Sequence, residues 1–127
     1  MTREAAVNRS WALLLCAIVA EVVGTLSLRA SHDHLAWLAL VVVGYTTTFF
    51  LLSLVLRAGM PVGVAYGVWG ALGTAATAAG GTVLFGDRFT TAIAIGVGLI
   101  IGGVLLVQLG SAQAVRTAAS TGGGERG

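Results

Sequence analysis

Charged residues are scarce in this sequence. Only 9% of its 127 residues are charged, whereas 57% are apolar and the mean hydropathy is +0.94; soluble domains carry roughly 25% charged residues. All the basic residues are arginines, and they stand at intervals that leave long uncharged runs between them. We therefore predict an integral membrane protein with room for four helices of about 20 residues each.

Other absences exclude several functions. The single cysteine, Cys16, excludes an internal disulfide and a cysteine-based metal cluster. A scattered net charge of +2 is too small for nucleic-acid binding. We expect no enzyme and no cofactor, because neither a nucleophile–base pair nor a metal set accompanies the one membrane acid, Glu21. His32 and His34 flank an aspartate in a turn, where a solvated loop is favoured over a metal site.

The charges divide the chain into four runs that can each cross a hydrocarbon core of about 30 Å as a helix. Backbone groups in lipid must hydrogen-bond within their own segment, so helices are expected. The predicted spans are residues 11–29, 35–57, 62–85 and 91–109. They form one all-α membrane domain, residues 1–110, in up-down-up-down order, followed by a disordered tail, residues 111–127. We expect the first span to be retained, since it has no convincing cleavage site.

Glu21 lies about 18 Å of helical rise inside the first run, within the apolar layer. An acid at this depth costs several kcal/mol unless it is paired or neutralised, so it indicates a functional site. Three arginines, Arg29, Arg57 and Arg88, all stand at span ends and offer no partner within the layer. We expect Glu21 to bind and release a proton; the alternative is a permanently neutral, structural glutamate.

Residues at helical spacing suggest a pocket around this acid. On the first span one face carries Leu14, Ala17, Glu21, Thr25 and Leu28. On the third span the corresponding set is Tyr66, Trp69, Gly73 and Thr77, and on the second it is Tyr45, Thr48 and Phe49. Aromatic faces attract cations, so the pocket suits a hydrophobic cation. Alternatively, Tyr66 and Trp69 belong to the aromatic belt at the membrane interface.

Small residues are concentrated in the last two spans. Gly96 and Gly103 are two helical turns apart on one face of the fourth span. Glycine faces let helices approach closely in lipid, which favours an oligomer that docks through this span over packing within one chain.

Two segments resemble a known family. Residues 20–25, Ala-Glu-Val-Val-Gly-Thr, and residues 61–69, Pro-Val-Gly-Val-Ala-Tyr-Gly-Val-Trp, are similar to signatures of the small multidrug resistance transporters. The resemblance continues through residues 85–88 and the Gly96/Gly103 pair, covering about residues 11–110. It implies an antiparallel dimer of four-helix protomers in the plasma (inner) membrane, in which proton entry drives the export of lipophilic cations.

The resemblance also implies roles for individual residues. Glu21 corresponds to the shared proton- and substrate-binding acid, Thr25 to a polar neighbour, and Gly96 and Gly103 to the dimerisation face. The pocket aromatics correspond to Tyr45, Tyr66 and Trp69. Further pocket-lining positions correspond to Trp11, Leu14, Ala17, Ile18 and Phe49.

Departures and alternatives follow from the same comparison. Guanidinium exporters of the family typically have tryptophan at the position of Gly24, so Gly24 favours the multidrug (quaternary ammonium) subtype over guanidinium export. Ala71 and Leu72 interrupt the glycine-rich bend usual after the third-span tryptophan, and Thr90 and Thr91 stand where an acid is common. A non-transporting helix-bundle subunit is the alternative from another class.

The arginines bear on the dimer. One membrane side carries Arg3, Arg9, Arg57, Arg116 and Arg126, and the other carries Arg29 and Arg88. This bias is mild for the positive-inside rule. The antiparallel homodimer that the resemblance implies is compatible with this mild bias, and an oppositely oriented paralogue is the alternative partner.

Overall fold

The computed structural model describes residues 2–124, which form four α-helices. These are α1 (Arg3–Ala30), α2 (Trp37–Arg57), α3 (Val62–Phe85) and α4 (Thr91–Gly124). Each is long and apolar enough to cross a membrane. The predicted all-α, four-span architecture is confirmed.

Helix α1 begins well before the predicted span. The Thr2 hydroxyl caps its first turn by accepting the Ala5 N–H at 3.4 Å, and Glu4 lies in that turn. Arg29 lies in the last turn. An acid at the start and a base at the end both oppose the helix dipole favourably, so local chemistry extends the helix beyond its apolar part.

Glycines and the single proline define two of the turns. Gly59 follows the end of α2 with a φ of 94°, and Gly86 follows α3 with a φ of 68°. These left-handed conformations suit glycine, which has no Cβ. Pro61 stands directly before α3, and its carbonyl accepts the Ala65 N–H at 2.9 Å. Its missing N–H therefore leaves no helical hydrogen bond unmade.

The core lies among the first three helices. Helix α1 packs along α2 and also against α3, whereas α4 lies beside α3. Gly24 and Gly44 mark the closest approach of α1 and α2, since a Cβ on Gly44 would lie 2.9 Å from both the Ala20 carbonyl oxygen and the Gly24 Cα. The buried core consists of Leu14, Ala17, Ile18, Leu52, Val55, Ala65 and Val68.

Helix α4 differs from its predicted end. The sequence predicts a disordered tail from residue 111, whereas the structure continues the helix to Gly124; residues 125–127 lie outside the described residues. The extension contains alanine and no proline, so the hydrogen bonding of the span can continue into it. No described residue of α4 is buried, and the extension from Ala112 onward is exposed.

Candidate functional site

Glu21 of α1 lies against α3, where it meets Gly73. A Cβ on Gly73 would overlap the Glu21 Oε2 atom, so only glycine leaves room for the carboxylate in this position. Oε2 is buried and has no hydrogen-bond partner among the described residues. Buried polar atoms are normally paired, which makes this oxygen a candidate for binding a proton or a ligand.

One aromatic ring, that of Trp69, stands next to the acid, and two more pack against it. The Trp69 indole is close to the Glu21 carboxylate, yet its Nε1 also lacks a hydrogen-bond partner in the described part of the chain. Tyr66 meets Trp69 edge-to-face at 5.7 Å between centroids, and Phe49 does so at 6.4 Å. Tyr66 and Phe49 are exposed at the protomer surface. The rings therefore form an apolar wall that opens outward beside a carboxylate.

Two further predicted residues meet across α1 and α2. The Thr25 hydroxyl and the Tyr45 hydroxyl are 2.9 Å apart and share a hydrogen bond. Thr25 is one turn beyond Glu21 on the same face of α1. The bond links α1 and α2 one helical turn beyond the acid.

Thr48 contributes to the crossing of the helices rather than to an open wall. It is fully buried, and its hydroxyl is 2.9 Å from the Gly44 carbonyl and 3.2 Å from the Ala17 carbonyl. The second contact joins α2 to α1 one turn before Glu21. This hydrogen bond holds the α1 backbone next to Glu21 against α2.

The remaining predicted pocket residues are divided between two places. Leu14, Ala17 and Ile18 lie in the hydrophobic core, with at most 5% of each exposed. As packed, they support the wall from behind and offer almost no surface to a ligand. Trp11 lines a different cavity, of about 380 Å³, beside Met60 and Val64 near the turn between α2 and α3.

The glycines singled out in the sequence also have distinct positions. Gly24 faces the α2 backbone, where a Cβ would lie 3.5 Å from the Tyr45 nitrogen. A tryptophan there would not fit between the two helices as they stand. Gly96 and Gly103 have no heavy atom within 4 Å of an added Cβ among the described residues, apart from their own helix backbone. Their face of α4 is open.

Sequence reasoning missed an ion pair between Arg29 and Asp87. The guanidinium donates to both carboxylate oxygens, with Arg29 Nη2 at 2.7 Å from Oδ1, and it lies 4.5 Å from the centroid of the Phe85 ring. The hydrogen bond from Arg29 lowers the pKa of Asp87 below its usual range. The up-down order of the helices places the end of α1 and the turn after α3 on the same membrane side. This order was the signal in the sequence from which the pair could have been predicted.

Known proteins match most of the chain. A model of the Small Multidrug Resistance protein family matches residues 9–100. The chain is 41% identical over 103 residues to the quaternary ammonium compound-resistance protein QacE of Escherichia coli, covering 80% of this chain and 93% of the relative. It is 44% identical over 98 residues to a multidrug transporter of Pseudomonas aeruginosa, covering 76% and 88%. It is 40% identical over 102 residues to the multidrug resistance protein Mmr of Mycobacterium tuberculosis, covering 79% and 95%.

Proposed function

Because this chain belongs to the small multidrug resistance family, we propose that it exports lipophilic and quaternary ammonium cations in exchange for protons. The chain is a multi-pass protein of the inner membrane. Its relatives are named for resistance to quaternary ammonium compounds and to ethidium bromide, and one is named a multidrug transporter. These names support multidrug efflux; the coupling to protons rests on the site.

The observation that carries the proposal is the Glu21 carboxylate beside Trp69, whose ring packs against Tyr66 and Phe49. The buried Oε2 atom of this carboxylate has no hydrogen-bond partner among the described residues. A cation that stacks on Trp69 and Tyr66 gains attraction from the rings, and it gains a full negative charge from the acid. A proton neutralises that charge. The two ligands therefore compete for one carboxylate, which is the requirement for exchange. A structural glutamate would need no aromatic wall open to the membrane.

The same proposal includes an antiparallel homodimer. Its support is the open glycine face of α4 and the mild arginine bias between the two membrane sides. In such a dimer two Glu21 carboxylates share one pocket, and two acids in one pocket titrate as a coupled pair. Alternate opening then exchanges up to two protons for one cation.

Calorimetric titration with tetraphenylphosphonium at several pH values tests the proposal. We expect the affinity to rise with pH and protons to be released on binding, because cation and proton compete. Glu21→Gln should abolish both effects and also resistance to quaternary ammonium compounds. Glu21→Asp should keep part of the coupling. Glu4→Gln removes an exposed acid from the same helix, and as the matched control it should leave binding unchanged.

Two results would contradict the proposed function. Proton-driven uptake by the Glu21→Gln variant in proteoliposomes at the wild-type rate would contradict the mechanism. Absence of any pH-linked cation binding by the wild-type chain would instead favour the non-transporting subunit.

A further inference from the structure

A second cleft lies on the membrane side where α1 ends. It has a volume of about 280 Å³ and lies between α1, α3 and the start of α4. Its lining includes Thr25, Thr77, Arg29, Gly81, Asp87 and Ile93. Hydroxyl groups and an ion pair contribute polar atoms to a lining that is otherwise mostly apolar.

The cleft begins one helical turn from the candidate site, at Thr25 on α1 and Thr77 on α3. Glu21, Thr25 and Arg29 recur every four residues on α1, and Gly73, Thr77 and Gly81 do so on α3, so each set lies on one side of its helix. The first members of the two sets are in contact, because Gly73 meets the Glu21 carboxylate. Eight residues correspond to a rise of about 12 Å. Four side chains, Glu21, Thr25, Arg29 and Thr77, therefore form a polar track from the acid towards the end of α1.

The ion pair stands at the outer end of this track. Arg29 and Asp87 are joined by two hydrogen bonds, and their side chains are 47% and 41% exposed. Gly81 makes room for the pair, since a Cβ there would lie 3.0 Å from Asp87 Oδ2 and 3.7 Å from Arg29 Nη1. The Asp87 N–H also donates to the Gly81 carbonyl at 3.3 Å. Three elements thus meet at the mouth of the cleft.

We propose that this cleft is a route for protons and cations between Glu21 and the membrane surface, with Thr25 and Thr77 as its lining and the Arg29–Asp87 pair across its mouth. The inference rests on the proposed function and names the path that this function would use. Threonine hydroxyls can accept hydrogen bonds from water or a hydrated proton. While the pair is closed, its charges satisfy each other; when it parts, Asp87 presents a carboxylate to an entering cation.

Thiol labelling in proteoliposomes tests the route. In a Cys16→Ala background, which removes the only native thiol, Thr77→Cys places a thiol in the cleft. Ala79→Cys places one two residues along, on the opposite, exposed side of α3. The probe is a trimethylammonium-ethyl methanethiosulfonate, a charged reagent that needs water and a thiolate to react. We expect Thr77→Cys to react at least about tenfold faster than Ala79→Cys, because lipid excludes the charged probe.

Opening the mouth should accelerate this reaction. Asp87→Asn or Arg29→Gln should raise the labelling rate of Thr77→Cys about two- to fivefold, which corresponds to the interaction energy of an exposed ion pair. The labelling rate of Ala79→Cys should not change. Saturating tetraphenylphosphonium should slow labelling of Thr77→Cys.

The outcomes separate the two proposals. Equal rates at Thr77→Cys and Ala79→Cys, with pH-linked cation binding intact, would overturn the route and leave the proposed function standing. Fast labelling that neither ion-pair variant changes would overturn the role of the pair. Failure of the wild-type chain to bind tetraphenylphosphonium would remove the proposed function, while the labelling rates would still show whether the cleft admits a cation.

Discussion

At the residue scale, the contact between Glu21 and Gly73 defines the candidate site. The carboxylate occupies the volume that any other side chain on α3 would fill at this point. The position of the Glu21 carboxylate on α1 therefore requires glycine at this point of α3. The glycine determines where the negative charge of Glu21 lies.

We expect Gly73→Ala to weaken tetraphenylphosphonium binding about tenfold, since an intruding methyl costs about 1–3 kcal/mol of displacement. The carboxylate is the flexible end of its side chain and can swing aside, so the helices should stay assembled. Gly70→Ala is the matched control, because an added Cβ there meets nothing within 4 Å. Equal affinities for the two variants would show that the position of the carboxylate does not limit binding.

Asp87 gives a prediction about pH. Its pKa is lowered by the hydrogen bond from Arg29, so the stabilising effect of the pair is complete above the usual pKa of an aspartate and is lost as the pH falls through the lowered value. Carboxyl NMR of the two labelled aspartates should show Asp87 titrating at higher pH in Arg29→Gln than in the wild type. Arg57→Gln, at a different helix end, should leave its titration unchanged; a shift in both variants would point to net charge instead of the pair.

At the element scale, the crossing of α1 and α2 carries the acid. Gly44 touches backbone atoms of Ala20 and Gly24, and the buried Thr48 hydroxyl bonds to the Ala17 carbonyl. Close backbone contact between small residues is a main source of helix association in lipid. This crossing therefore fixes the orientation of Glu21.

The two glycines of the crossing should respond differently to the same change. Gly44→Ala places a methyl 2.9 Å from backbone atoms, whereas Gly24→Ala makes ordinary contacts from 3.5 Å outward. We expect Gly44→Ala to lower the free energy of unfolding by about 1–3 kcal/mol. Gly24→Ala should change it by less than about 1 kcal/mol, helped by the better helix propensity of alanine. Unfolding in mixed detergent measures both, and equal losses would contradict the asymmetry.

The elements were predictable from the sequence because charge and hydropathy alternate so regularly. Helical spacing predicted which residues share a helix face, as for Glu21 with Thr25 and for Tyr66 with Trp69. Spacing could not separate Leu14 and Ala17, which support the wall from the core, from residues on its surface. Nor could it predict how far α4 extends, since a polar, alanine-containing sequence is compatible with both a helix and a disordered tail.

Contacts between distant segments were the least predictable part. The pairing of Arg29 with Asp87 depends on how α1 and α3 lie side by side, which no local pattern encodes. One signal was available for the helix crossing: Gly44 is the only glycine in α2, and glycine in a membrane helix indicates a close approach.

At the scale of the whole molecule, α4 is the least covered element. It packs beside α3, none of its described residues is buried, and its glycines face open space. Membrane helices with small residues on an open face associate by close packing. The proposed dimer would cover this face.

Replacing Gly96 and Gly103 together with valine should therefore separate the protomers, because the added side chains prevent close approach. Gly98→Val is the control, since Gly98 is two residues from Gly96 and so points away from that face. Crosslinking in membranes and the mass of the detergent-solubilised particle measure assembly. Dimers that survive the double substitution would show that the protomers meet elsewhere.

The uneven packing of the four helices also has a consequence for biogenesis. The most extensive interface joins α1 to α2, which are the first two helices to leave the ribosome, so this hairpin can form before the rest of the chain is made. Glu21 then has one wall, from α2, and the second arrives only with Gly73 and Trp69 on α3. A nascent chain that ends before residue 62 thus has the helix crossing but not the candidate site, which is completed only when α3 has been made.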